Sequence, residues 1–182
     1  WMLEETWKMT GKIDGYFFLG DGVDDFAQAE NFIRRRDPDA LMLDVRGNND
    51  FDMDVPLFAV VTVGGVRMYL THGHRERVSM LHSGLVPARA REEGCSFAFF
   101  GHTHRMMAER EQGIFVCNPG SISLPRGGPA SYARLDIEGG MVRTLPLPSS
   151  TPRTLCSSTQ APPRRSLPSS MRTARCCGKR VL

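Results

Sequence analysis

Residues 96–104 read SFAFFGHTH. An apolar run with strand composition stops at Gly101, and two of the chain's five histidines follow one residue apart. Working outward, the same profile recurs three times. GYFFLGDG (15–22) ends on Asp21, ALMLDVRGNND (40–50) ends on a Gly-Asn-Asn-Asp turn holding Asn48, and LFAVVTVGGVRMYLTHGH (57–74) ends on His72 and His74. Four apolar runs thus end on polar residues of kinds that a strand interior does not require. Ligands of open α/β sheets gather outside the strand carboxyl ends, where loops aim side chains at a common point. The expected fold class is therefore α/β, with Asp21, Asn48, His72, His74, His102 and His104 converging if the four strands lie side by side.

The connecting segments fit that expectation. DDFAQAENFIRRR (24–36) has helix-forming composition, with Asp24 as its expected N-cap. Gly64 and Gly65 separate two strand-like runs, as in a hairpin. SMLHSGLVPARAREEG (79–94) predicts helical segments broken near Pro87, with Gly94 as a C-cap. His82, in this segment and without a partner, is read as an ordinary surface or core histidine. The stretches around 106–128 and 131–147 each predict strand, turn, strand.

Composition narrows the function classes. The chain has 182 residues, 41% hydrophobic and 24% charged, with a formal net charge of +3, all ordinary for a globular domain with a core. No apolar run approaches the ~18 residues of a membrane span, so no membrane partner is expected. The N-terminal WMLEETWKMT has no basic-then-apolar leader pattern. Five cysteines at irregular spacing do not suggest a disulfide framework, and the expected setting is reducing and cytoplasmic. From Pro146 the chain carries seven Lys or Arg, no Asp or Glu, and abundant Ser and Pro. Residues 146–182 are therefore read as a disordered basic tail behind a domain of residues 1–145. Such a tail could brush nucleic acid, but a solvated appendage is the plainer reading. A homodimer is allowed and nothing demands it.

Taken singly, the polar strand-ends have bland readings. Asp21 could start a helix, Asn48 could serve a turn, and His72 and His74 could pack in a loop. Together, a carboxylate, an amide oxygen and imidazoles form a mixed oxygen and nitrogen donor set suited to Mn, Fe or Zn. Two such ions about 3.5–4 Å apart can clamp the attacking and leaving oxygens of an in-line displacement at phosphorus.

The ordered set Gly20-Asp21, Gly47-Asn48, THGH (71–74), GHTH (101–104) and NPGSISLPRGG (118–128) resembles the calcineurin-like metallophosphoesterases. It is most similar to their small bacterial and archaeal phosphodiesterase branch, which is related to the retromer subunit of the same fold. That resemblance covers about residues 1–145. It implies a four-layer α/β/β/α sandwich and a metal-dependent phosphoesterase, acting on a small phosphoester. The divalent ions would be manganese first, with iron, zinc or nickel as alternatives, and dinuclear in the intact family. Carried over by position, Asp21 would bridge both ions. Asn48, His72 and His102 would complete one, and His104 would help hold the other. His74 would lie just outside, orienting a ligand or touching the phosphate, so that Asp21, Asn48 and His74 form the catalytic group.

Two departures from the pattern matter. Many relatives have a leaving-group acid, a His, directly after the motif Asn, and here that position is Asn49. The family also opens on a strand ending in Asp-x-His, and no such motif precedes Asp21 here. The expectation is a sandwich lacking its first strand, with one ion held better than the other and impaired catalysis. A non-catalytic, protein-binding member of the same fold is the alternative.

Overall fold

The computed structural model describes residues 12–148 and 179–181. In chain order the elements are β1 (Gly15–Phe18), α1 (Val23–Arg36), β2 (Leu41–Asp44), β3 (Phe58–Val63), β4 (Val66–Thr71), α2 (Val86–Glu92), β5 (Phe97–Phe100), β6 (Met106–Glu111), β7 (Ile114–Pro119), β8 (Ser131–Glu138), β9 (Met141–Pro148) and β10 (Lys179–Val181). They form an α/β fold of two mixed five-stranded sheets, ordered β2-β1-β10-β8-β9 and β3-β4-β5-β7-β6.

Apolar alternation explains how these elements pack. β8 reads buried and half-buried by turns, placing Ala133, Leu135 and Ile137 on one face. That face meets Met68 and Leu70 of β4, Phe99 of β5, and Phe115 and Cys117 of β7 in one cluster contributed by both sheets. A second cluster joins Tyr69, Ala98, Phe100 and Val116 to Val86 and Ala90 of α2. A third joins Ile13, Tyr16 and Ala40 to Ile33 of α1. Phe100, Met68, Leu70 and Val116 are essentially inaccessible, and each such side chain contributes about 1.5–3 kcal/mol relative to exposure.

The four strands that carry the polar ends are not all neighbours. β1 and β2 pair in parallel, Gly15 opposite Leu41 through Phe18 opposite Asp44, in one sheet. β4 and β5 pair in parallel, Met68 opposite Phe97 through Thr71 opposite Phe100, in the other. The expectation of four adjacent strands is thereby corrected to two pairs, one at the carboxyl edge of each sheet.

Two local expectations are revised. Asp24 is not the N-cap of α1: the cap position is Gly22, without a side-chain cap, and Asp24 falls in the first turn. Pro87 sits in the first turn of α2 rather than breaking it, because a proline there gives up an N–H that no intrahelical bond would use. His82 lies in an exposed turn before α2, its Nδ1 accepting from the Gly84 N–H at 3.2 Å. Gly94 does sit just past the helix with a φ of 66°, the left-handed ending that glycine permits. Most of the expected disordered tail lies outside the described residues. Its described pieces are strand, since 146–148 belong to β9 and β10 pairs with β1 and β8. No helix among the described residues is long and apolar enough to cross a membrane.

Candidate metal centre

Strand register builds the centre. The β4–β5 ladder continues one step beyond Thr71 and Phe100, because the Gly101 N–H donates to the His72 carbonyl at 3.1 Å. His72 and His102 therefore leave their strands together, with ring centroids 5.1 Å apart. Across the gap between the sheets, His72 Nδ1 lies 2.6 Å from the Leu19 carbonyl oxygen, in the segment leading to Asp21. There is no room for side chains at the seams. A Cβ on Gly20 would stand 2.7 Å from His72 Nδ1, and one on Gly47 would collide with the Asp21 carboxylate.

Three of the five non-glycine residues with positive φ among the described residues lie at the centre. Asp21, His102 and His104 have φ values of 64°, 64° and 57°. Non-glycine residues seldom adopt this left-handed region, and such strain persists where surrounding contacts over-determine it. Asn118 supplies one such set of contacts. It is fully buried on β7, its Nδ2 donates to the Gly101 carbonyl at 2.7 Å and to Thr103 Oγ1 at 3.0 Å, and its Oδ1 accepts from the Gly120 N–H at 2.9 Å. It thus pins the loop bearing His102 and His104.

Around His72 Nε2 stand Asn48 Oδ1 at 3.2 Å, His102 Nδ1 at 3.2 Å and Asp21 Oδ2 at 3.4 Å. The Leu19 carbonyl can only accept, so His72 Nδ1 carries its proton and Nε2 presents a lone pair. Burial holds the His72 imidazole below its ordinary pKa, outweighing the opposing pull of the Leu19 carbonyl and the Asp21 carboxylate, so the ring is neutral. Burial lowers the His102 pKa as well. A lone-pair nitrogen facing a carboxylate oxygen and an amide oxygen is a place that would stabilise a cation. Separations of 3.2–3.4 Å suit ligand atoms sharing one ion, since metal–nitrogen bonds of about 2.1 Å put neighbouring ligands ~3.0–3.4 Å apart. The donor set fits a divalent metal.

The other expected residues divide. Ligand atoms of Asp21, His72 and His102 all lie within 4.8 Å of one another, a set that includes neither His104 nor His74. His104 Nδ1 donates to the Leu124 carbonyl at 2.7 Å, leaving Nε2 as its lone-pair atom. His74 lies beside the group, its ring centroid 5.4 Å from that of His72. Its Nδ1 is buried and has no hydrogen-bond partner among the described residues. Asn49 holds the Asp21 carboxylate, donating its backbone N–H to Oδ1 at 2.9 Å and its Nδ2 to Oδ2 at 2.7 Å. Sequence reasoning gave neither Asn49 nor Asn118 this part. The local signal for Asn118 is an Asn-Pro-Gly directly after a buried strand.

Comparison with known proteins gives the family. Residues 4–140 match the calcineurin-like phosphoesterase superfamily domain. The chain belongs to that superfamily. It is 38% identical over 101 residues to the phosphodiesterase YfcE of Escherichia coli K12, covering 50% of each chain. The chain thus spans about half the length of the curated relatives it matches. Among solved structures it is similar to an uncharacterised predicted phosphoesterase of Streptococcus pneumoniae TIGR4, with a TM-score of 0.61, 28% identity and coverage of 81% and 82%. The zinc complex of wild-type Vps29 from Entamoeba histolytica shares the fold, with a TM-score of 0.55, 19% identity and coverage of 82% and 89%.

Proposed function

We propose that this superfamily member is a metal-dependent phosphodiesterase whose own residues hold one divalent ion through Asp21, Asn48, His72 and His102. The observation that carries the reading is the convergence of Asn48 Oδ1, Asp21 Oδ2 and His102 Nδ1 on the lone pair of His72 Nε2. When bound, such an ion polarises a phosphoryl oxygen and lowers the pKa of its water towards neutrality. Manganese is the first choice, and the mixed donors also suit iron, zinc or nickel.

The chain's own residues do the rest. Leu19 fixes the ring of His72, Leu124 fixes that of His104, and Asn49 orients the Asp21 carboxylate. An amide cannot protonate a leaving group, so Asn49 has no part as an acid. His74, beside the group with a buried unpartnered Nδ1, is the residue placed to touch the phosphate or hand a proton to the departing oxygen. Otherwise the substrate must carry an acidic leaving group. By the resemblance a second ion would lean on Asp21 and His104, and His104 stands outside the Asp21, His72 and His102 cluster, which supports one strong site among the described residues.

The four-layer order α1, first sheet, second sheet, α2 belongs to this reading, supported by the three apolar clusters. A cytoplasmic setting is supported by Cys95 and Cys117, both free thiols. The fold shared with Vps29 favours a second reading, a non-catalytic binding scaffold. An aryl phosphodiester assay separates the two. Manganese-dependent product release that disappears in His72→Ala supports the hydrolase, and no release at any manganese concentration favours the scaffold.

A further inference from the structure

Asp50 collects four backbone N–H groups on one carboxylate. Its Oδ1 accepts from Gly22 at 2.6 Å and Val23 at 3.1 Å, and its Oδ2 accepts from Asp21 at 2.7 Å and Gly47 at 2.7 Å. Three donors are consecutive residues at the entrance of α1, where Gly20, Asp21 and Gly22 have φ values of 90°, 64° and 137°. A run of such residues turns successive N–H groups towards one concavity, an anion-holding nest. The fourth donor, Gly47, lies in Asp50's own loop, directly before Asn48. An ordinary helix cap explains the bonds to Gly22 and Val23, which lie at the end of α1. It does not explain why Asp50, in the same loop as Asn48, holds the Asp21 N–H of the distant segment on the same oxygen as the Gly47 N–H of its own loop.

We infer that Asp50 is a positioning residue, a carboxylate clamp that fixes the separation of Asp21 from Asn48 and so sets the geometry of the metal pocket. It touches neither ion nor substrate. The carboxylate that orients Asp21 from outside is thus distinct from Asn49, which grips the Asp21 side chain. Burial on its own would raise the Asp50 pKa, and the four amide donors together outweigh it, keeping the group ionised. The inference rests on the metal reading above for its consequence, but not for the clamp itself.

The test uses the full chain. Amide hydrogen exchange in the metal-free wild type should show Asp21, Gly22, Val23 and Gly47 protected. Asp50→Asn replaces one acceptor oxygen with an NH2 that faces donors. In that variant these four amides should lose protection while those of Met68–Leu70 keep theirs. Calorimetric titration with Mn²⁺ should show affinity weakened by at least about tenfold, the usual cost of removing a partner that orients metal ligands. Asp50→Glu, which keeps the charge but lengthens the arm, should recover only part of it. Rapid exchange of the four amides in the wild type overturns the inference, and so does unchanged Mn²⁺ affinity in a folded Asp50→Asn. If Asp50→Asn does not fold, the wild-type exchange still decides. A wild type that protects the four amides yet binds no Mn²⁺ upholds the clamp and sinks the metal reading.

Discussion

The Nε2 of His72 and the Nδ1 of His102 stand 3.2 Å apart at the carboxyl ends of two paired strands. The hydrogen bond of Nδ1 to the Leu19 carbonyl leaves His72 with a lone pair there, and the other nearby atoms are an amide oxygen and a carboxylate oxygen. Folding has gathered these acceptors at a cost that a cation would offset. The clustering contributes little to the stability of the metal-free chain, and the predictions below follow from that imbalance and from the contacts that enforce it.

Gly47→Ala should destroy the centre while sparing the strands. Its new methyl would overlap the Asp21 carboxylate and stand 2.5 Å from the Asp21 backbone nitrogen. Melting with and without Mn²⁺ checks this. The wild type should gain about 2.7 kcal/mol at a metal concentration one hundred times the dissociation constant, and the variant should gain nothing.

Asn118→Ala should destabilise the fold by about 1–3 kcal/mol, because it takes the Nδ2 donor from the Gly101 carbonyl, which keeps only the Thr103 N–H, and the Oδ1 acceptor from the Gly120 N–H. Asn118→Asp should not restore it, since a carboxylate offers that carbonyl no N–H. Denaturant titration of both variants measures the effect, and equal stability of Asn118→Asp and the wild type would rule out this part for the side chain.

Asp44, at the end of β2, has its pKa raised by burial first, with smaller contributions from Asp52, Glu30 and Asp50, against a lowering backbone hydrogen bond. The folded state therefore holds this proton more tightly than the unfolded chain does. Its contribution to stability is present below the unfolded pKa of about 3.9 and is lost as pH rises through the folded value. Asp44→Asn should thus be more stable than the wild type at neutral pH and indistinguishable from it at pH 3. Urea midpoints at the two pH values test the sign.

Cys117 is fully buried on β7, and burial pushes its thiol up to about 12. Since the thiolate is the reactive form, alkylation at pH 8 should leave Cys117 unmodified until the chain unfolds. Peptide mapping by mass spectrometry reads this, and rapid native labelling would contradict the packing of the central cluster.

Much of the centre was legible in the sequence because its signal is local. A strand interior does not call for His72 or His102, so an apolar run stopping at either residue already marks a strand end aimed at something. The same holds for Asp21 and Asn48. The distribution of these four over two sheets was not legible from strand pattern, because alternation fixes which face a residue occupies and not which strand lies beside it. Asp24 was read as the cap of α1 because capping is ordinarily a local event. Here the acceptor is Asp50, distant in sequence from Gly22 and Val23, and no periodicity links them. The part Asn118 plays was hidden for a related reason. Its partners Gly101 and Thr103 belong to a neighbouring strand and loop, reached only once β5 and β7 pair.

Calorimetric titration of the full chain with Mn²⁺ at neutral pH tests the metal centre most directly. The account predicts one saturable strong site, abolished in His72→Ala and retained in a control such as His82→Ala in the exposed turn. Two equally strong sites, no saturable binding, or undiminished binding by His72→Ala would each contradict it.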